Sequence, residues 1–206
     1  MKRSLVVPGI IIIAIGAFVI YSLQGGPNDA EYITTIQKER RDKETYLKSG
    51  EGSPFVKDSL PFTGLQYFPI DPKYRIKAKL KNIDKKKVVL LSTSDGKEQN
   101  YLEYAFAEFS LDGKENRLLI LELMETGPNR GKLFLAFADE TSGRETYGAG
   151  RYLDLKKVPA ASTVILDFNL AYNPYCAYND SYSCPFPPKE NLLQVPILAG
   201  EKNYHP

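Results

Sequence analysis

The chain has 206 residues, 43% hydrophobic and 25% charged, which is enough for one ordinary globular domain plus a short appendage. Its 27 basic and 25 acidic side chains give a net charge of +2, and both surplus positives are Lys2 and Arg3; the balanced remainder excludes a global field for attracting nucleic acid. The single histidine, His205, excludes most histidine-based acid–base, triad and metal chemistry, and no cofactor or metal is expected.

Ser4 to Asn28 contains no ionisable side chain, and Leu5–Leu23 is almost wholly apolar. As a helix that run reaches about 28 Å, enough to cross a hydrocarbon core, and it shows no polar stripe at helical spacing. Lys2 and Arg3 in front of it hold the N-terminus in the cytoplasm. The expectation is a transmembrane signal-anchor over residues 1–24: single-pass in a bacterial inner membrane, N-terminus cytoplasmic, C-terminal domain periplasmic. A cleaved secretory signal is the alternative, but the apolar run is long for one and no A-x-A site follows it.

Gly25-Gly26-Pro27 ends the first helix, and Asn28 with Glu31 opens a second. Residues 25–50 therefore read as a linker and a short charged helix, Ala30–Ser49. Its seven consecutive charges, Lys38 to Glu44, read as a solvated face with Glu39 and Lys43 paired one turn apart. Docking to a neighbouring subunit is the alternative.

Residues 51–206 read as an exported β-rich domain. Tyr74–Leu80 alternates strictly, placing Tyr74, Ile76, Ala78 and Leu80 on one face. Lys73–Lys87 carries eight basic residues against Asp84, which suits a solvated strand face and lysines guarding a sheet edge. Val88–Leu91, Tyr101–Leu111, Arg117–Met124, Lys132–Ala138, Thr163–Phe168 and Leu192–Leu198 are further strands, with a hairpin turn at Asp112-Gly113. So many strands with short connections predict a mainly β fold, an antiparallel β-sandwich or a small barrel.

Two stretches break the alternation, Asp139–Tyr152 and Asp167–Asn191, and they concentrate carboxylates, arginines, asparagines and tyrosines in loops, where function tends to reside. The candidate ligand or partner residues are Asp139, Thr141, Glu145, Tyr147, Arg151, Asp167, Asn169, Asn173, Asn191 and Glu201. One alternative is that Arg144 and Arg151 simply neutralise the acids in buried pairs while the asparagines tie down loop backbone. Cys176 and Cys184 enclose seven residues; in an oxidising compartment they read as a disulfide, with free thiols as the alternative.

Four blocks in order also carry a resemblance. They are YFPID at Tyr67–Asp71, D-x-TSG-x-ETYGAGRYL from Asp139, DFN-x-AYNP-x-CAY from Asp167, and CP-x-PP-x-EN to AGEK from Cys184 to Lys202. They resemble the bacterial domain of unknown function 1684 family, and the likeness runs from about Ser53 to Lys202. The resemblance implies a single β-rich, envelope-associated domain with no settled activity. The chain differs from lipoprotein-like members in lacking a lipid-attachment cysteine.

The function expected on these grounds is a non-catalytic accessory subunit or binding module of a cell-envelope complex. It would be anchored in the membrane, hold a protein partner and accommodate a small ligand, without nucleic acid. The alternative is a histidine-independent hydrolase or lyase acting on an envelope saccharide or small metabolite. That enzyme needs Glu145, Tyr147, Arg151, Asp167 and Asn169 to converge in one concave site.

Overall fold

The computed structural model describes residues 29–204. Helix α1 spans Asp29–Ser49, with Asp29 and Glu31 in its first turn and Lys48 in its last, where each complements the helix dipole. A four-residue helix, α2, Pro54–Lys57, follows, capped by Ser53. The seven strands are β1 Arg75–Asn82, β2 Val88–Ser92, β3 Glu98–Leu111, β4 Lys114–Leu123, β5 Leu133–Phe137, β6 Arg151–Leu155 and β7 Thr163–Asp167.

All strand pairs are antiparallel and belong to one sheet, in the order β6-β5-β4-β3-β1-β7, with β2 also on β3. The sheet curls so far that its two ends, β6 and β7, come into contact. This is a half-barrel, not a two-sheet sandwich. β3 is long enough to hold two strands along one side: β2 pairs Glu98–Leu102 and β1 pairs Ala105–Glu108, with a bulge between Glu103 and Ala105 separating them. The turn to β4 has positive φ at Asp112 and Gly113, as a tight hairpin requires. β1 is an interior strand, so its lysines line a solvated face and guard no edge.

Both faces of the sheet are covered at β4 and β5, while the outer face of β1 stays solvated. On one, Leu118, Ile120, Leu135, Phe137, Leu153 and Leu166 pack against Leu193, Val195, Ile197 and Ala199. On the other, Leu119, Leu121, Phe134 and Tyr152 pack against Cys176 and Cys184. β4 shows the reason in sequence: Leu118-Leu119-Ile120-Leu121 is apolar at every position because both of its faces are buried.

Several expectations are corrected. Leu192–Leu198 forms no sheet strand beyond a single bridge at Leu192. Leu193, Val195 and Ile197 are buried, but the segment's backbone meets other backbone only at Ala138 and Glu140 and otherwise bonds to the side chains of Lys114, Asp139 and Arg151. β6 lies where a loop was expected. Its entry requires Gly150, at φ 88°, because a Cβ there would sit 2.5 Å from the Phe137 carbonyl oxygen.

The charged run of α1 is only partly a solvated face. Lys38 and Asp42 pair at 2.6 Å in the open, whereas Tyr32, Ile36, Arg40, Lys43 and Leu47 form an inward stripe at helical spacing. Lys43 reaches Glu201, so the expected Glu39–Lys43 pair does not form.

The membrane expectations are corrected as well. The apolar run in residues 1–24 and the helix start at Asn28 lie outside the described residues. Among the described residues no helix is long and apolar enough to cross a membrane. A transmembrane helix, a signal-anchor and a single-pass inner-membrane, periplasm-facing location therefore find no support and are not carried forward.

Candidate functional site

The residues singled out in the two loops serve mainly to build the fold. Arg151 is wholly buried; its Nη2 donates to Asp139 Oδ2 at 2.9 Å and to the Ile197 carbonyl at 3.0 Å, and its Nη1 donates to the carbonyls of Ala199 and Glu201. Asp139 Oδ1 accepts from the backbone and hydroxyl of Thr141 and from the Ile197 amide. The ion pair thus supplies the donors and acceptor that a neighbouring strand would have offered to segment 193–201. Burial lowers the Arg151 pKa, and Asp139 opposes that.

Asn191 does the same between β4 and β5, which pair at only two positions. Its side chain accepts from Leu119 N at 2.6 Å and donates to the Leu119 and Ala136 carbonyls at 2.9 and 2.7 Å.

Glu201 and Asp167 both meet α1. Glu201 accepts from Lys43, Tyr178 and, at 2.9 Å, the Asn173 amide. Asp167 accepts from the Tyr32 hydroxyl at 2.8 Å and the Asn169 amide at 3.2 Å, while desolvation raises its pKa above the ordinary carboxylate value. Asn169 also donates to Tyr32 and to the Asp71 carbonyl. Arg40 lies 4.4 Å over the Tyr67 ring and donates to the carbonyls of Phe68 and Asn169.

Glu145 is exposed and Thr141 is buried. None of the clefts among the described residues is lined by more than one of Glu145, Tyr147, Arg151, Asp167 and Asn169, and Arg151 is wholly buried, so the hydrolase or lyase reading built on them is not carried forward.

The expected disulfide is absent: Cys176 and Cys184 are free, buried thiols. Their loop is closed by hydrogen bonds in place of a covalent link, with Ser94 N donating to the Cys184 carbonyl, Cys184 N to Ser94 Oγ, and Phe186 N to the Ser92 carbonyl. Cys176 N donates to Cys184 Sγ at 3.3 Å, and the Tyr147 hydroxyl donates to Cys176 Sγ at 3.8 Å. A hydrogen bond from Cys184 holds the Cys176 thiol down at about 6, against an opposing burial effect.

Beside Cys184 opens a cleft of about 770 Å³ that no motif announced. α1 forms one wall with Lys43, Tyr46 and Leu47; the sheet gives Tyr101, Phe134 and Tyr152; the loop after β7 gives Tyr172, Tyr175 and Tyr182. The rings make a continuous row. Tyr101 stacks on Phe134 at 5.5 Å, Phe134 meets Tyr152 edge-on at 4.7 Å, and Tyr152 meets Tyr172 edge-on at 5.9 Å.

Their hydroxyls are engaged in the walls: Tyr101 donates to Gln99, Tyr152 to the Pro185 carbonyl and Tyr172 to Asp154. The ring carbons are left to face the space. Burial pushes these three phenols far above their ordinary pKa, so they stay neutral.

Two cations line the cleft. Lys43 Nζ sits 4.3 Å over the Tyr172 ring and is held by Glu201. Lys132, at the rim, donates to Asn129 Oδ1 at 2.8 Å and has no carboxylate within ion-pair distance among the described residues. Of the residues singled out from sequence, only Cys184 lines this cleft. Tyr152, Tyr172, Tyr175 and Tyr182 belong to the two tyrosine-rich stretches read as functional, but their partners on α1, β3 and β5 are scattered along the chain, so the cleft they share could not be assembled from sequence.

Comparison with known proteins agrees with the sequence blocks. A family model described as "Protein of unknown function (DUF1684)" matches residues 61–202. A solved structure of an uncharacterized protein from Haloarcula marismortui is 36% identical, with a TM-score of 0.64 over 84% of this chain and 94% of that one. It is a solution NMR structure, which gives no support to membrane anchoring, and the family description carries no envelope association. The chain matches no curated protein.

Proposed function

The chain belongs to the DUF1684 family, and from that premise we propose that it is a small-molecule-binding protein whose cleft takes a flat aromatic ligand carrying one anionic group. The observation that carries this reading is the unbroken row Tyr101–Phe134–Tyr152–Tyr172 along a cleft of about 770 Å³ in which Lys132 is the cation without an ion-pair partner, the Asp154 carboxylate being engaged by the Tyr172 hydroxyl. A mostly apolar pocket with few polar groups suits a compact organic ligand. Ring-to-ring contact rewards a planar one, and Lys132 attracts an anion at the mouth without first giving up a partner. The accessory-subunit reading is left aside, because the inward stripe of α1 is taken up by its own domain.

The test is saturation-transfer NMR and calorimetry on the full chain with a panel of small aromatic carboxylates and their neutral amides. We expect carboxylates to bind in the micromolar range, Lys132→Ala to weaken them about tenfold while sparing the amides, and Tyr175→Ala to weaken both. Absence of any binding tighter than about 1 mM, or binding indifferent to both substitutions, would overturn the proposal.

A further inference from the structure

The opposite face of the sheet lines a second, partly open cavity of about 550 Å³. Every strand on the path from β6 round to β7 gives it an inward side chain, Leu153, Leu133, Ile120, Tyr104, Leu80 and Val164, while β6, β1 and β7 add further residues toward the rim. A single space touched by all six can only be the inside of the curl. It opens at the seam where β6 and β7 meet without hydrogen-bonding, and Tyr32 and Ile36 of α1 stand beside that opening. Five of the six strand side chains are aliphatic, so the cavity suits an alkyl chain better than a ring.

The rim has a different character. Val158, Ile165 and Leu170 stand 57%, 42% and 38% exposed around it, an uncovered apolar collar. Two cations share the rim. Arg75 is half exposed, with its Nε 3.9 Å from Asp167, whose oxygens already accept from Tyr32 and Asn169. Lys156 has no carboxylate within ion-pair distance among the described residues. The acids that line the same space are Asp167 beside Arg75, the exposed Asp154, which accepts from Tyr172, and the exposed Glu39 of α1; Lys156 pairs with none of them.

A partly open, largely aliphatic space behind an apolar collar, with Arg75 and the unpaired Lys156 at its rim, has the polarity of an amphiphile turned outside in. We propose that the interior of the half-barrel binds the alkyl chain of a medium-chain carboxylate, with its head group between Arg75 and Lys156. This site shares Leu133, Asp154 and Leu155 with the aromatic cleft and no other lining residue, so substitutions elsewhere in either tell the two apart.

The experiment is calorimetric titration of the full chain with hexanoate, octanoate and decanoate, and with decylamine as the cationic counterpart. Burial of each added methylene should tighten binding about fourfold until the cavity is full. Decylamine should bind at least about tenfold more weakly than decanoate, and Arg75→Gln should erase that preference.

Val164→Trp, which fills the cavity from a half-buried position, should abolish decanoate binding, while Tyr175→Ala in the other cleft should leave it unchanged. If Val164→Trp fails to fold by circular dichroism, Val158→Asp at the exposed collar replaces it, with at least a tenfold loss expected. Affinity independent of chain length, equal binding of the amine, or loss through Tyr175→Ala alone overturns the proposal.

Discussion

Arg151 is the side chain whose role departs most from what its sequence neighbourhood suggests. Preceded by Gly148 and Gly150 and following a loop with three acids, it has the setting of a ligand-binding arginine, yet its guanidinium is wholly buried and bound to Asp139 and three carbonyls. Sequence distinguishes these roles poorly because both need an arginine near a carboxylate, and only burial decides between them. The cysteines carry a sharper consequence. The pair releases its first proton near pH 6, chiefly because Cys184 hydrogen-bonds to Cys176, while Cys184 itself is pushed far above the ordinary thiol value. Unfolded thiols titrate near about 8.5. From about 6 to about 8.5 the native pair holds fewer protons than the unfolded chain, so stability rises with pH. Above that the unfolded chain has lost both protons and the native pair retains one, so stability falls again. Urea midpoints of the full chain across pH 5.5 to 10 should show this rise and fall, and Cys176→Ser should remove the rise; an unaltered profile in the variant would refute the shared-proton account.

At the scale of elements, the strands with one buried face were legible because alternation reports burial directly: Ile76, Ala78 and Leu80 face inward as their spacing requires. The same signal misled at Leu192–Leu198. Alternation records which side chains are covered and is silent about whether the backbone finds a strand, and here Arg151 and Asp139 take the strand's place. β6 was illegible for the converse reason, since its first residue is a buried arginine and its pattern is neither alternating nor continuously apolar. Asn191 extends the lesson to the gap between β4 and β5. Asn191→Ala leaves the Leu119 amide, the Leu119 carbonyl and the Ala136 carbonyl without that partner. At about 1–3 kcal/mol for each stranded buried group, denaturant unfolding should show a loss of at least about 2 kcal/mol. Hydrogen exchange should speed first at Leu119; a loss under about 0.5 kcal/mol would mean that the strands close the gap unaided.

In the whole molecule, Glu201 is where the separate parts meet. It binds α1 through Lys43 and the loop after β7 through Asn173 and Tyr178, and its backbone bridges Tyr67. Glu201→Gln strands a lysine whose side chain is 26% exposed, so the cost falls below the about 3–5 kcal/mol of a fully buried pair, at about 2 kcal/mol. Exchange in α1 should accelerate more than exchange in β3; uniform acceleration would show that α1 does not loosen as a unit. The aromatic cleft depends on the same assembly, since α1 supplies one of its walls. No stretch of sequence could show it, because no two of its walls are neighbours in the chain. The Arg151 clasp also has a consequence in time. A chain made from its N-terminus has every strand of the sheet in place before Ile197, Ala199 and Glu201 exist to receive the guanidinium. Until they are made, Arg151 and Asp139 have charge in an interior that lacks most of its hydrogen-bond partners, a state that disfavours closure of the sheet. Closure of the sheet over Arg151 therefore waits on segment 197–201, which is made after every strand and lets the earlier ones settle together.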